Sequence, residues 1–218
     1  KVIFNGVIEG RKVYGNIIKY MKMALSSDFG DVFSIFIASI FLPFLPLLPI
    51  QMLIQDFLYD FSQIGIPYDN VDKELIRKPK KLNIKSLKSF MFFMGPVSSL
   101  FDIVVFLLLW FVFTVRDVTH FQTIWFTYSI VSNLIGMHII RTAKTPFIQS
   151  NAHKAVYISS ILLIIIGILV PFTPLGTAIG LAPIALKYIF MIFGVTFLYC
   201  IVASYAKKIY IKKYKEWI

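Results

Sequence analysis

Long apolar runs separated by short polar stretches dominate the pattern of this chain. A membrane-spanning helix needs roughly 20 mostly apolar residues, with a tolerated range of about 17–25. Six segments meet or approach that length: Met23–Leu42, Ile50–Ile66, Phe90–Thr114, Phe121–Ile140, Ala155–Val170 and Pro183–Ala206. The pattern therefore predicts an all-α integral membrane protein, a bundle of six transmembrane helices whose first helix continues as a polar stalk at its amino-terminal end.

Composition excludes the soluble globular class. Of the 218 residues, 58% are apolar and only 15% are charged, and the mean hydropathy is +0.77. An ordinary soluble domain carries about 45–50% apolar and about 25% charged residues. The single cysteine, Cys200, also excludes a disulfide scaffold within this chain.

The net charge of +11 is distributed unevenly along the chain. All of the 22 basic residues except Arg116 and Lys187 fall in the amino-terminal stretch, the loops after the second and fourth predicted spans, or the tail. This asymmetry follows the positive-inside rule and predicts a multi-pass protein of the cell membrane with both termini in the cytoplasm. Because the basic residues mark topology, we expect the lipid bilayer as a partner and no nucleic acid.

Carboxylates lie where a lipid-facing helix would not tolerate them. Five of the 11 acidic residues fall inside predicted spans, namely Asp28, Asp31, Asp56, Asp60 and Asp102. An aspartate at the centre of the membrane costs about 2.5–3.5 kcal/mol on insertion scales. A polar interior or a bound cation is therefore expected.

The spacing of four of these residues predicts a cation site. Asp28 and Asp31 are three residues apart, and Asp56 and Asp60 are four apart, so each pair shares one helix face. A short turn joins the two helices, which allows the faces to meet. Oxygen ligands of this kind suit Mg²⁺ or Ca²⁺. The alternative is that these groups are protonated carboxyls that only hydrogen-bond the bundle together.

Neighbouring polar residues are secondary candidates for the same site. Tyr59 and Gln63 extend the polar face of the second span, and Ser27 lies one turn before Asp31. Asp102 stands alone on the third span and is a weak candidate, for which a structural role and an ion-site role are equally expected. No catalytic residue and no cofactor-binding residue is assigned in this chain.

These predictions divide the chain into five parts. They are a stalk end at 1–22, an ion-site helical hairpin at 23–66, a basic cytoplasmic loop at 67–89, a supporting four-helix membrane domain at 90–206, and a basic cytoplasmic tail at 207–218.

Several motifs resemble the P-type cation-pumping ATPases, and within them the bacterial magnesium-transporting branch. The matching stretches are Gly10–Tyr20, Ser26–Val32, Phe44–Gln51, Leu53–Asp60, Ile66–Asp72, Gly95–Ile103 and Pro146–Ser150. The resemblance covers essentially the whole chain and implies helices five to ten of a ten-helix pump. It also implies that Asp28, Asp31, Asp56 and Asp60 occupy ion-binding positions, with Tyr59 where calcium pumps use a hydroxyl ligand.

The resemblance implies transport of Mg²⁺, with import as the expected direction, driven by ATP hydrolysed outside this chain. The DKTGT phosphorylation motif is not in the sequence, and residue 1 is Lys rather than Met. We therefore expect a piece of a longer pump, whose other helices and cytoplasmic domains are partners and hold the ATP and its accompanying Mg²⁺. Two alternatives stay open: a pump for Ca²⁺ or another cation, and a stand-alone six-helix channel or membrane scaffold.

Overall fold

A computed structural model describes residues 2–72, 76–77 and 81–217. Parts of the predicted basic loop, at 73–75 and 78–80, lie outside the described residues, as do residues 1 and 218. The described α-helices are α1 (Val2–Phe41), α2 (Pro49–Ser62), α3 (Ile84–Leu107), α4 (Val118–Ile140), α5 (Lys154–Leu169), α6 (Pro174–Ala178) and α7 (Leu186–Tyr214).

Five of these helices are long and apolar enough to cross a membrane: α1, α3 with the π-helical turn that follows it, α4, α5 with its 3₁₀ end, and α7. The protein is therefore an all-α membrane protein, as its hydropathy pattern predicts. The helix α1 is 40 residues long. At 1.5 Å per residue this is about 60 Å, roughly twice the hydrocarbon thickness of a bilayer, so α1 extends beyond its apolar part as one continuous rod.

The second predicted span, Ile50–Ile66, differs from a regular membrane helix. The α-helical part, α2, is 14 residues long and ends at Ser62, and a 3₁₀ turn runs from Gln63 to Tyr68. The cause lies in Pro67, which has no N–H to donate and disfavours the α conformation in the residue before it. This segment is consequently too short to count among the long membrane helices and carries irregular backbone within the bundle.

Small residues allow α1 and α3 to pack closely. The Ser99 hydroxyl of α3 donates to the Gly30 carbonyl of α1 at 2.8 Å. A Cβ atom on Gly30 would lie 3.2 Å from the Gly95 carbonyl oxygen and would clash with Ser98. Close approach of this kind gives membrane helices van der Waals contact and interhelical hydrogen bonds, which stabilise them in lipid.

The helix α4 is the centre of the bundle. Most of its residues are buried, and it contacts α1, α2, α3, α5 and α7. Because every face of α4 meets another helix, its polar side chains point into the protein rather than into lipid. This position brings α4 next to the carboxylates of α1 and α3.

Candidate cation site

Asp31 lies at the meeting point of α1, α2 and α4. It is 5% exposed. Gln55 of α2 donates to its Oδ2 atom at 2.9 Å, and Asn133 of α4 donates to the same oxygen at 3.3 Å. The Ser129 hydroxyl lies 3.4 Å from Oδ1. Three neutral groups thus surround one carboxylate inside the bundle, in place of a charged partner.

The two amides around Asp31 also carry oxygen atoms that are potential cation ligands. The Oε1 atom of Gln55 is buried without a hydrogen-bond partner among the described residues. An amide that rotates by half a turn exchanges its donor nitrogen for its acceptor oxygen. The groups that satisfy Asp31 in this arrangement can therefore present oxygen to a cation after a side-chain rotation.

The other three aspartates of the predicted cluster occupy the outer side of the α1–α2 hairpin. Asp28 and Asp60 are exposed and Asp56 is half-buried. Asp28 lies within electrostatic range of both Asp56 and Asp60, so the three carboxylates face one region of the surface. The structure thus brings Asp28, Asp56 and Asp60 near one another and turns Asp31 inward, towards α4.

This separation leaves the ligands incompletely assembled. Across residues 2–72, 76–77 and 81–217, no three His, Cys, Asp or Glu side chains are grouped closely enough to hold a metal ion. Asp31 nevertheless interacts electrostatically with both Asp28 and Asp56. The four aspartates are therefore neighbours that do not form a closed coordination shell in this conformation.

The secondary candidates lie beside these carboxylates. Tyr59 is buried and hydrogen-bonded to Ser27, so these two side chains join α2 to α1. Gln63 is also buried, at 3% exposure, and neither of its amide atoms has a described partner. Gln63 and Asp60 line a mostly apolar cavity of about 340 Å³ between the stalk and the 3₁₀ turn.

Asp102 is a second buried carboxylate and lies within electrostatic range of Asp31. It is 3% exposed, and its two oxygens accept from the Ser34 hydroxyl at 2.6 Å and from the Trp125 indole at 3.0 Å. These bonds join α1, α3 and α4. The Trp125 indole is a donor only and, unlike the amides around Asp31, has no oxygen to present to a cation, so Asp102 fits a structural buried polar group better than Asp31 does.

Sequence reasoning missed the contribution of α4. Ser129 and Asn133 are four residues apart in a membrane helix, which places them on one face. A polar pair of this kind is a weaker signal than an intramembrane aspartate, because hydroxyl and amide groups are common in membrane helices. Gln55 carried a stronger signal, since it lies one residue before Asp56 in a span already rich in polar residues.

A buried ion-pair cluster lies at the basic end of the bundle. Asp69, with no exposed side-chain surface, accepts from Arg141 at 2.9 and 3.0 Å and from Lys19 at 2.8 Å. Burial alone would raise the pKa of Asp69, but the hydrogen bonds and charges of Arg141 and Lys19 outweigh it and hold that pKa below its ordinary value. The cluster connects the stalk, the end of the 3₁₀ turn and the end of α4.

An all-α membrane bundle with buried and half-buried carboxylates on adjacent helices defines an ion-handling membrane protein. The family described as "Cation transporting ATPase, C-terminus" matches residues 44–209. The chain belongs to this family.

Two relatives extend the match over nearly the whole chain. The "Magnesium-transporting ATPase, P-type 1" of Salmonella typhimurium is 46% identical over 99% of this chain, and its namesake in Escherichia coli K12 is 44% identical over 98%. The chain spans 24% of the length of each of these relatives. Both carry a name that states magnesium transport, in agreement with the resemblance of the sequence motifs.

Proposed function

We propose that this chain is the carboxy-terminal membrane portion of a P-type ATPase that imports Mg²⁺, and that it supplies part of the cation pathway. The buried carboxylate of Asp31 carries this proposal, because it is surrounded by amide and hydroxyl groups on two other helices. An ionisable side chain inside the membrane costs free energy, and a residue kept there despite that cost marks a functional site. The names of the two relatives support Mg²⁺ as the transported ion.

Asp28, Asp31, Asp56 and Asp60 are the proposed ligands, with Tyr59, Gln63 and Ser27 beside them. Mg²⁺ requires near-octahedral oxygen coordination at about 2.0–2.1 Å, which the separated aspartates do not provide in this arrangement. In the proposed mechanism, tilting of α1 against α2 brings the exposed carboxylates towards Asp31 and closes the shell. The break after Ser62 makes such a change less costly, because a 3₁₀ segment holds its backbone less firmly than an α-helix.

ATP and the Mg²⁺ that accompanies it are proposed to bind in cytoplasmic domains outside this chain. The long rod of α1 then connects those domains to Asp28 and Asp31, since a helix transmits tilt along its whole length. The remaining helices of the pump and the transported cation are the proposed partners. We further propose that the basic end of the bundle, which includes both termini, faces the cytoplasm of the cell.

The test uses the full-length pump in sealed proteoliposomes, with MgATP fixed outside and the free Mg²⁺ concentration varied inside. We expect luminal Mg²⁺ to stimulate ATP hydrolysis, and Asp60→Asn or Asp56→Ala to abolish that stimulation without loss of membrane insertion. Asp102→Asn is expected to have a milder effect, because the Trp125 indole beside it has no oxygen to present to a cation. Asp117→Asn is the matched control, since Asp117 is an exposed aspartate at the start of α4.

Each alternative corresponds to a distinct result. Stimulation by luminal Ca²⁺ but not by Mg²⁺ would identify a calcium pump. Cation flux without any dependence on ATP would favour a channel. Stimulation that survives both Asp60→Asn and Asp56→Ala would remove these residues from the pathway, and a complete loss in Asp102→Asn would instead make Asp102 a ligand.

A further inference from the structure

The carboxy-terminal segment folds back into the basic end of the bundle. The helix α7 ends when Lys215 adopts a left-handed conformation with φ of 53°, which turns the following residues towards the other helices. Trp217 is consequently buried, at 3% exposure. Burial to this extent means that contacts with other parts of the bundle hold Trp217 in place.

The indole ring of Trp217 occupies a site built by three helices. Its ring centroid lies 4.8 Å from that of Phe90 in α3 and 5.6 Å from that of Tyr210 in α7, both in edge-to-face geometry. Its Nε1 atom donates to the Ile140 carbonyl at the end of α4 at 2.8 Å. A buried indole that also satisfies its N–H gains both aromatic packing and a hydrogen bond.

The backbone of the same residue binds the stalk. Lys22 of α1 is 2% exposed, and its ammonium group donates to the Trp217 carbonyl at 2.6 Å. The adjacent Glu216 carboxylate lies 3.9 Å from the Lys22 nitrogen and accepts from Ser86 at 3.1 Å. A buried lysine is costly unless its donors are satisfied, and the Trp217 carbonyl is one of the groups that satisfy Lys22.

Trp217 therefore connects the middle of α1, at Lys22, with the end of α4, at Ile140. Side chains of the same two helices also meet at Asp31. On α1, Lys22 is nine residues from Asp31, which is about 14 Å along the helix. On α4, Ile140 is two turns beyond Asn133, which donates to Asp31. The relative rotation and tilt of α1 and α4 decide whether Asn133 and Ser129 reach that carboxylate.

We propose that Trp217 is a positioning residue for the cation site, and that it sets the affinity of the site by holding α1 against α4 through Lys22 and Ile140. The inference rests on the proposed function, because it treats Asp31 as part of the cation pathway. Trp217 does not touch the ion. It acts on the geometry of the groups that do.

The test measures the luminal Mg²⁺ concentration that gives half-maximal ATPase activity in the full-length pump. We expect Trp217→Ala to raise this concentration about threefold to tenfold, with a much smaller effect on the rate at saturating Mg²⁺. Trp217→Phe keeps a ring but lacks the indole N–H, so it is expected to give a smaller shift. Tyr205→Ala is the matched control, because Tyr205 is a 67% exposed aromatic residue of the same region.

Lys22→Met tests the link to α1 independently. It is expected to produce a similar shift. The double variant with Trp217→Ala should show less than the sum of the two effects, because the indole ring holds the Trp217 carbonyl in place for Lys22 and both changes therefore weaken one connection. Thermal unfolding is measured in parallel. A purely structural role would lower thermal stability and maximal rate together and leave the Mg²⁺ dependence unchanged.

Unchanged Mg²⁺ dependence in Trp217→Ala and Lys22→Met would overturn the role of Trp217. Where Trp217→Ala does not accumulate, Trp217→Phe and Lys22→Met decide in its place. A wild-type pump without luminal Mg²⁺ stimulation would instead overturn the proposed function, so the two failures are distinguishable.

Discussion

At the scale of single residues, the two kinds of buried carboxylate in this protein are stabilised differently. Asp69 lies among cationic groups outside the membrane spans, with Arg141 and Lys19 in direct contact. Asp31 is surrounded only by neutral amides and a hydroxyl group. At Asp69 a cation would therefore compete with the positive charges of Arg141 and Lys19. At Asp31 a cation would meet only neutral groups and would itself supply the positive charge.

The Asp69 ion pairs predict a pH dependence of stability. Because the folded state lowers the pKa of Asp69, the ionised group stabilises the fold above its unfolded pKa of about 3.9. That stabilisation is lost as the pH falls through the lower, folded pKa. We expect Asp69→Asn to unfold at a lower temperature than wild type at pH 7, with the difference shrinking below about pH 4.

Thermal unfolding of the detergent-solubilised protein between neutral and acid pH measures this difference. Breaking a buried ion pair on one side costs about 3–5 kcal/mol, so the neutral-pH effect should be large. Glu9→Gln, at an exposed carboxylate of the stalk, is the control. An Asp69→Asn deficit that persists undiminished in acid would show that packing rather than charge is responsible.

At the scale of elements, the predicted and observed structures differ at the break between α2 and the 3₁₀ turn. Hydropathy predicts a single span at Ile50–Ile66, since it averages over the residues and does not register where the α-helical hydrogen bonds stop. Pro67, which interrupts the α-helical hydrogen bonding, is visible in the sequence, but the close contact between Gly65 and α5 is not. A Cβ atom on Gly65 would lie 2.9 Å from the Val156 nitrogen and 3.1 Å from the Ala155 carbonyl oxygen.

Gly65→Ala is accordingly expected to destabilise the protein. The atoms that a new methyl group would meet are backbone atoms of α5, which cannot move aside as a side chain can, and overpacking of this kind costs about 1–3 kcal/mol. Thermal unfolding measures the effect. In Gly194→Ala the added Cβ has nothing within 4 Å, so no loss is expected there. Equal stability of both variants would contradict the close contact between Gly65 and α5.

At the scale of the whole molecule, the distribution of charge predicts its orientation. The end of the bundle that carries the lysine clusters is proposed to face the cytoplasm, and Arg116 lies at the opposite end. This is testable in a full-length pump whose native cysteines are replaced, which within this chain requires only Cys200→Ala. Lys213→Cys and Arg116→Cys then place one exposed thiol at each end.

In right-side-out membrane vesicles, a membrane-impermeant maleimide is expected to label Arg116→Cys and to leave Lys213→Cys unlabelled. Permeabilised vesicles should show labelling of both, which serves as the control for reactivity. Labelling of Lys213→Cys in sealed vesicles would contradict the proposed orientation and, with it, the proposed direction of Mg²⁺ transport.

The sequence by itself determined the class of this protein, since hydropathy is a local property that twenty or so consecutive residues express. It also identified the intramembrane aspartates, because a charge in an apolar run is conspicuous without any knowledge of its neighbours. Only the tertiary structure decided which of them are buried and with which partners. It turned Asp31 towards Gln55 and Asn133 and left Asp28 and Asp60 exposed. The physical reason is that a helix repeat fixes which residues share a face, whereas the rotation of each helix about its axis is set by packing against the others.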